Sequence, residues 1–147
     1  MILVSACLAG IKCKYNGGSS LVEKAAELII NGGAVPVCPE QLGGCTTPRI
    51  AAEIQDGTGA DVLDGRSHVT GSGGEDVTGQ FIRGAGEVLR IAQLTGAKKA
   101  LLKARSPSCG CGRIYDGTFS GKTREGNGVT AELLLRNGIK VMTEEDL

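Results

Sequence analysis

Short apolar runs alternate with longer periodic ones along the chain, and their order predicts strands alternating with helices. Ile2-Leu3-Val4-Ser5-Ala6 is a β-favouring run that ends in Cys7 and opens into the turn-rich segment Leu8 to Gly18, the pattern of a buried strand feeding a loop. Ser20-Leu21-Val22-Glu23 has capping-box spacing, and Val22, Ala25, Ala26, Ile29 and Ile30 follow at helical intervals until Asn31-Gly32-Gly33, which predicts a helix. Ala34-Val35-Pro36-Val37 predicts a second strand, ending in Cys38. From Thr46 to Gly74 the periodicity weakens, and Asp61 to Thr70 reads as a small hairpin turning at Asp64-Gly65, an excursion from the core. Val77, Phe81, Ala85, Val88, Leu89 and Ala92 form one face of a long helix introduced by Asp76 or Thr78 and stopped at Gly96. Lys99 to Leu102 predicts a third strand, Ile114 to Gly121 irregular chain, Val129 to Asn137 a helix closed by Gly138, and Ile139 to Met142 a fourth strand.

This alternation predicts the α/β class: a three-layer Rossmann-like domain with a small, mainly parallel sheet and a β-hairpin excursion, residues 1–147 forming one domain. In open parallel sheets ligands bind beyond the carboxyl ends of the strands. Cys7, Cys38 and Cys109 all lie at or after such ends. The topology therefore brings three thiols, far apart in sequence, to one rim.

Composition narrows the classes of function. A chain of 147 residues with 41% apolar content holds one core and not two. Aromatic residues make up 3% and there is no Trp, so base stacking on aromatic platforms is not expected. Lys plus Arg and Asp plus Glu number 16 each, so no basic field invites nucleic acid. No apolar run reaches membrane-spanning length, and Met1 to Ala6 lacks the basic flank of a signal peptide. A cytoplasmic location follows, where the six cysteines are expected to be reduced, metal-bound or catalytic and not paired. The sequence carries no signal for an oligomeric state.

The densest candidate chemistry is the loop Arg105-Ser106-Pro107-Ser108-Cys109-Gly110-Cys111-Gly112. Pro and Gly set an irregular backbone that can approach a ligand closely. A site of three thiolates, Cys7, Cys38 and Cys109, fits neither a zinc ribbon nor the usual ferredoxin run, and it leaves one coordination position open. The competing reading makes Cys7 and Cys38 small buried hydrophobes. Cys13, Cys45 and Cys111 stand six, seven and two residues from Cys7, Cys38 and Cys109. That spacing admits a second metal, a resolving thiol or surface substitutions, of which the last is preferred. Glu40 follows Cys38 across Pro39 and could act as general acid or base at the same site, against a solvated loop glutamate. Ser106 and Ser108 could orient a substrate, against ordinary turn capping. Arg49, Asn16 and Asp116 are polar loop residues that could line a pocket, and His68, the one histidine, reads as surface. Neither the Cys-x5-Arg phosphate loop nor the dinucleotide-binding glycine fingerprint is met.

The blocks Val4-Ser5-Ala6-Cys7-Leu8-Ala9-Gly10, Tyr15-Asn16-Gly17, Val37-Cys38-Pro39-Glu40-Gln41-Leu42-Gly43-Gly44, Thr47-Pro48-Arg49, Asp76-Val77-Thr78, Ser106-Pro107-Ser108-Cys109-Gly110, Tyr115-Asp116-Gly117-Thr118-Phe119-Ser120-Gly121 and Gly128-Val129-Thr130-Ala131 together resemble the thiouracil desulfidase family, in unbroken order from Ile2 to Met142. The resemblance implies a bacterial enzyme with a four-iron four-sulfur (4Fe-4S) cluster held by Cys7, Cys38 and Cys109, its fourth iron open. The open iron is expected to bind the sulfur of a thiocarbonyl as a Lewis acid, so that water replaces sulfur without net redox change and hydrogen sulfide is released. Glu40 would shuttle protons and Ser106 would hold the heterocycle. The implied partner is a small thiouracil-like thio-heterocycle, with neither nucleic acid nor membrane involved. Cys45 and Cys111 depart from the family's usual residues. Two other readings of the same thiols are a non-catalytic iron-sulfur or persulfide sulfur carrier and a zinc hydrolase.

Overall fold

The computed structural model describes residues 1–147. Its centre is a four-stranded sheet of parallel pairs built from β1 (Ile2–Ser5), β2 (Ala34–Val37), β5 (Lys99–Leu102) and β8 (Lys140–Thr143), in the order β2-β1-β5-β8. Successive side chains of these strands point to opposite faces, and both faces are covered. Leu3, Ala100 and Leu102 pack with Val88 and Ala92 of α4 (Thr78–Thr95) and with Ala131 and Leu134 of α5 (Val129–Arg136). Val4, Leu101 and Ala34 pack on the other side with Ala25 of α1 (Glu23–Ile30). Pro36 is accommodated because β2 is an edge strand. No helix is long and apolar enough to cross a membrane.

Two antiparallel pairs stand apart from this sheet. The first joins β3 (Ala52–Gln55) to β4 (His68–Gly71), with Ala52 opposite Gly71. The excursion expected over Thr46 to Gly74 is therefore present, and the second arm of the expected hairpin is strand from His68, but the first arm, before Asp64-Gly65, is not. That dipeptide instead closes a short helix, α3 (Gly59–Leu63), started by Asp61 Oδ2 accepting from the Thr58 N–H at 2.9 Å and its hydroxyl at 3.2 Å. The second pair joins β6 (Arg113–Tyr115) to β7 (Thr123–Glu125), so the expected irregular stretch begins as strand. Ile54, Val69 and Ile114 from these pairs bury against Phe81 and Ala85 at the start of α4.

The capping box expected at Ser20 does not form. α1 starts at Glu23 after Val22 without a side-chain cap, because the Ser20 and Val22 N–H groups donate to Cys7 and Leu8 carbonyls at 2.9 and 2.8 Å. These bonds bind the segment to the turn that follows β1. A short helix, α2 (Pro39–Leu42), replaces the loop expected after Cys38, with Pro39 at its first position, where no N–H is needed. α2 lies directly on α4. A Cβ at Gly84 would stand 1.9 Å from the Pro39 carbonyl oxygen, and one at Gly43 would stand 1.9 Å from that of Gln80.

This contact separates two glycines of one helix. In an exposed helix interior Gly→Ala stabilises by roughly 0.5–1 kcal/mol, and a Cβ at Gly86 would meet nothing within 4 Å. Gly86→Ala should therefore raise the urea midpoint. Gly84→Ala should lower it, costing about 1–3 kcal/mol as overpacking outweighs propensity, and should loosen α2 with the two residues it carries into the site below.

Candidate active site

The carboxyl ends of β1, β2 and β5 open onto a cavity of about 540 Å³ lined by Cys7, Cys38, Cys109, Glu40 and Ser106. The five residues are thus brought together. Cys7 lies in a 3-10 turn, Ala6–Ala9, directly after β1, and is buried. Cys38 precedes the first residue of α2. Cys109 is buried and receives two hydroxyl hydrogen bonds, from Ser5 Oγ at 3.3 Å and Ser108 Oγ at 3.6 Å. Ser106 Oγ accepts from the Cys109 N–H at 2.7 Å, and with the Ser108 hydroxyl given to Cys109 its own hydrogen meets Ser108 Oγ at a long 3.4 Å.

The loop 105–112 is held by the start of α5. The N–H groups of Gly128, Val129 and Thr130 donate to the carbonyls of Gly110, Pro107 and Ser108 at 2.7, 2.8 and 2.9 Å. These are among the N–H groups that a helix start leaves unpaired. Gly128 has to be glycine, since a Cβ there would lie 2.5 Å from the Ser108 carbonyl carbon.

Cys13, expected at the surface, is instead 2% exposed and lines the same cavity. It folds inward because Arg49, 36 residues on, donates from Nη2 to its carbonyl at 2.9 Å, and Cys38 Sγ donates to the same carbonyl at 3.8 Å. Cys45 and Cys111 do not line the cavity. Cys111 Sγ donates to the Val141 carbonyl at 3.8 Å, and Cys45 packs beside the β3–β4 cluster. All six cysteines are free. Cys7, Cys13, Cys38 and Cys109 all line the one cavity.

Arg49 also lines the cavity, and its Nη2 donates to Glu40 Oε2 at 2.7 Å. Nη1 donates to the Thr46 carbonyl and Thr47 Oγ1 at 3.1 and 2.9 Å. One guanidinium therefore joins the Cys13 loop, the Thr46–Thr47 loop and the carboxyl on α2, and Glu40 Oε1 keeps no protein partner. Asn16 and Asp116 cap their own turns, accepting from the N–H groups of Gly18 and Thr118 at 2.9 and 3.0 Å. His68 is exposed, its Nδ1 3.4 Å from Asp76 Oδ2. Ser5 and Glu53 are also in the cavity lining; Ser5 closes an apolar strand and Glu53 lies in the weakly periodic stretch, so neither carried a sequence signal.

Cys13, Cys38 and Cys109 sit in surroundings that favour their neutral form. Burial pushes Cys109 up to about 11, against the lowering effect of the Ser5 and Ser108 hydroxyls. The Cys13 thiol and burial raise Cys38 far above its ordinary value. Cys13 is lowered by Cys38, but the Cys7 thiol and burial together leave it raised. Soft donors in this state become ligands by releasing protons to an incoming metal. Thiols from three strand ends, beside a carboxyl and around an open cavity, fit a thiolate-bound iron-sulfur group.

A family model described as 2-thiouracil desulfurase matches residues 2–146. A Bacillus subtilis (strain 168) protein, "Uncharacterized protein YbbK", is 50% identical over 147 residues, covering 100% of this chain and 97% of that one. A solved structure described as the 4Fe-4S-dependent thiouracil desulfidase TudS matches with a TM-score of 0.88 at 42% identity, covering 99% of this chain and 91% of that chain.

The raised Cys109 thiol predicts a loss of stability at alkaline pH in the metal-free protein. A thiol whose folded pKa lies above its unfolded value contributes stability that is full below the unfolded value and lost as pH rises through the folded one. For Cys109, moved from 9.0 to about 11, that window runs from about pH 9 to 11. Under reductant, the melting temperature should be level up to about pH 8.5 and fall between pH 9 and 11. Cys109→Ala should flatten part of that fall.

Proposed function

The chain belongs to the 2-thiouracil desulfurase family, and on that premise we propose that residues 1–147 act as one unit, a 4Fe-4S-dependent desulfidase that replaces the sulfur of a thiouracil-like heterocycle with oxygen. The observation that carries the reading is the meeting of Cys7, Cys38, Cys109, Glu40 and Ser106 on one cavity. Cys7, Cys38 and Cys109 would hold the cluster. The similarity to a solved 4Fe-4S-dependent desulfidase supports a multi-iron group over a single zinc ion. When bound, the cluster supplies a Lewis acid with an open, sulfur-seeking iron.

The chain's own residues supply the acid-base chemistry. Arg49 occupies Glu40 Oε2 and leaves Oε1 without a protein partner, free to take a proton from the water that adds to the thiocarbonyl carbon. The same oxygen returns that proton to the departing sulfur, then carries the remaining proton of the added hydroxyl to it as the carbonyl forms. Ser106 Oγ, its lone pair engaged by the Cys109 N–H, donates to a ring heteroatom and holds the heterocycle in place. The carbon–sulfur bond breaks, a carbon–oxygen bond forms, and hydrogen sulfide leaves. No electrons are gained or lost.

Anaerobic reconstitution should give iron by elemental analysis, broad visible absorbance, and sulfide release from 2-thiouracil. Replacing Cys7, Cys38 or Cys109 by Ser should abolish both absorbance and activity. Glu40→Gln should keep the absorbance and lower sulfide release by roughly 100-fold or more, the usual scale of general acid-base catalysis. A sulfur carrier would retain its transfer in Glu40→Gln. Zinc in place of iron, or a loaded protein inert towards thiopyrimidines and thiopurines, would overturn the assignment.

A further inference from the structure

The chain has only four aromatic residues, two Tyr and two Phe, and no Trp. Phe81 is buried in the core between α4 and the β3–β4 pair. The other three, Tyr15, Tyr115 and Phe119, all line the candidate active site. Tyr15 comes from the loop after β1, Tyr115 from the end of β6 and Phe119 from the turn between β6 and β7, and both Tyr15 and Phe119 leave much of their surface exposed, 46% and 38%. Composition argued against a stacking platform, but the placement of these few rings argues for one.

Phe119 is held there by a dedicated set of bonds. Its φ of 55° places a bulky residue in the left-handed region, a conformation that persists only where the surroundings impose it. Glu53, a carboxylate 8% exposed on β3, accepts from the Gly117 N–H at 2.9 Å and the Phe119 N–H at 3.2 Å through the same Oε1. Gln55 Nε2 donates to the Gly117 carbonyl at 3.1 Å. Gly117, at φ 93°, passes so close to β3 that a Cβ would lie 2.6 Å from the Ile54 carbonyl oxygen. A buried carboxylate is costly unless hydrogen-bonded, and this one is engaged with the two N–H groups that set the aromatic loop.

We propose that Phe119, positioned by Glu53, is the substrate-selecting aromatic of this site, stacking on the ring of a planar heterocycle with Tyr15 and Tyr115 on the adjoining wall. The proposal rests on the desulfidase reading and deepens it. The class selected is a thiocarbonyl within a flat, conjugated ring, in preference to a thioamide without a ring. Aromatic stacking tolerates different bases because each has a π-face, so thiopyrimidines bearing different substituents fall within the class.

The test is calorimetric binding of uracil, which has the ring and lacks the reacting sulfur, to the reconstituted holoenzyme. Phe119→Ala should raise the dissociation constant roughly thirty-fold, the middle of the range for one stacked base, with visible absorbance and melting temperature retained. Phe119→Tyr should restore binding. Glu53→Ala should weaken uracil in the same way, and Glu53→Gln, which keeps an acceptor oxygen, should recover most of the loss. An unchanged uracil affinity in Phe119→Ala overturns the proposal, as does a wild-type enzyme that releases sulfide from 2-thiouracil yet binds no uracil. A protein that binds uracil through Phe119 but releases no sulfide from 2-thiouracil supports the stacking role and overturns the desulfidase reading instead.

Discussion

The candidate site depends first on the capture of one loop by one helix start. An α-helix leaves its first N–H groups without internal partners, and at α5 these groups are used by the carbonyls of Pro107, Ser108 and Gly110. The exchange satisfies both sides. The helix gains a start without a capping side chain, and an irregular segment, which would otherwise leave buried carbonyls unpaired, gains a single conformation. Cys109 and Ser106 inherit their positions from it. The bond between the Cys109 N–H and Ser106 Oγ then fixes the hydroxyl relative to the thiol.

The remaining parts are attached to the same rim by longer reaches. The parallel sheet delivers Cys7 and Cys38 because β1 and β2 end side by side, Ser5 opposite Val37. Arg49 closes the arrangement. Its guanidinium joins the Cys13 carbonyl to the Glu40 carboxyl, so the thiol-bearing loop and the acid-base candidate hold a common frame. With its side chain 10% exposed, Arg49 is screened less by solvent than a surface ion pair would be. Below this, the glycine contact between α2 and α4 sets how far Cys38 and Glu40 project, since two backbones meet where neither helix has a side chain.

Much of this frame is legible in the chain, and the failures are local. The four strands of the main sheet and its three principal helices follow from alternation and helical periodicity, because burial on both faces leaves continuous apolar runs such as Leu3-Val4 and Ala100-Leu101-Leu102. Ser20 misled because a capping-box pattern is only an offer of hydrogen bonds, and the turn after β1 made a competing one. Asp64-Gly65 misled in the same way: a dipeptide that suits a hairpin turn equally suits a helix end. The inward turn of Cys13 is not legible, because six-residue spacing says nothing about which way a loop folds.

The sequence by itself determined the α/β class, the succession of elements and the arrival of Cys7, Cys38 and Cys109 at one edge of the sheet. Each of these is encoded by periodicity or by position at a strand end, both readable over a few residues. Only the tertiary structure decided that Cys13 joins the thiols, that Arg49 grips Glu40, and that three of four aromatics face one cavity. Those outcomes rest on contacts between residues 36 apart, as for Arg49 and Cys13, or 66 apart, as for Phe119 and Glu53. Loops carry no repeating pattern to announce such contacts, and their conformation is set by the hydrogen bonds they find once the sheet and helices have packed.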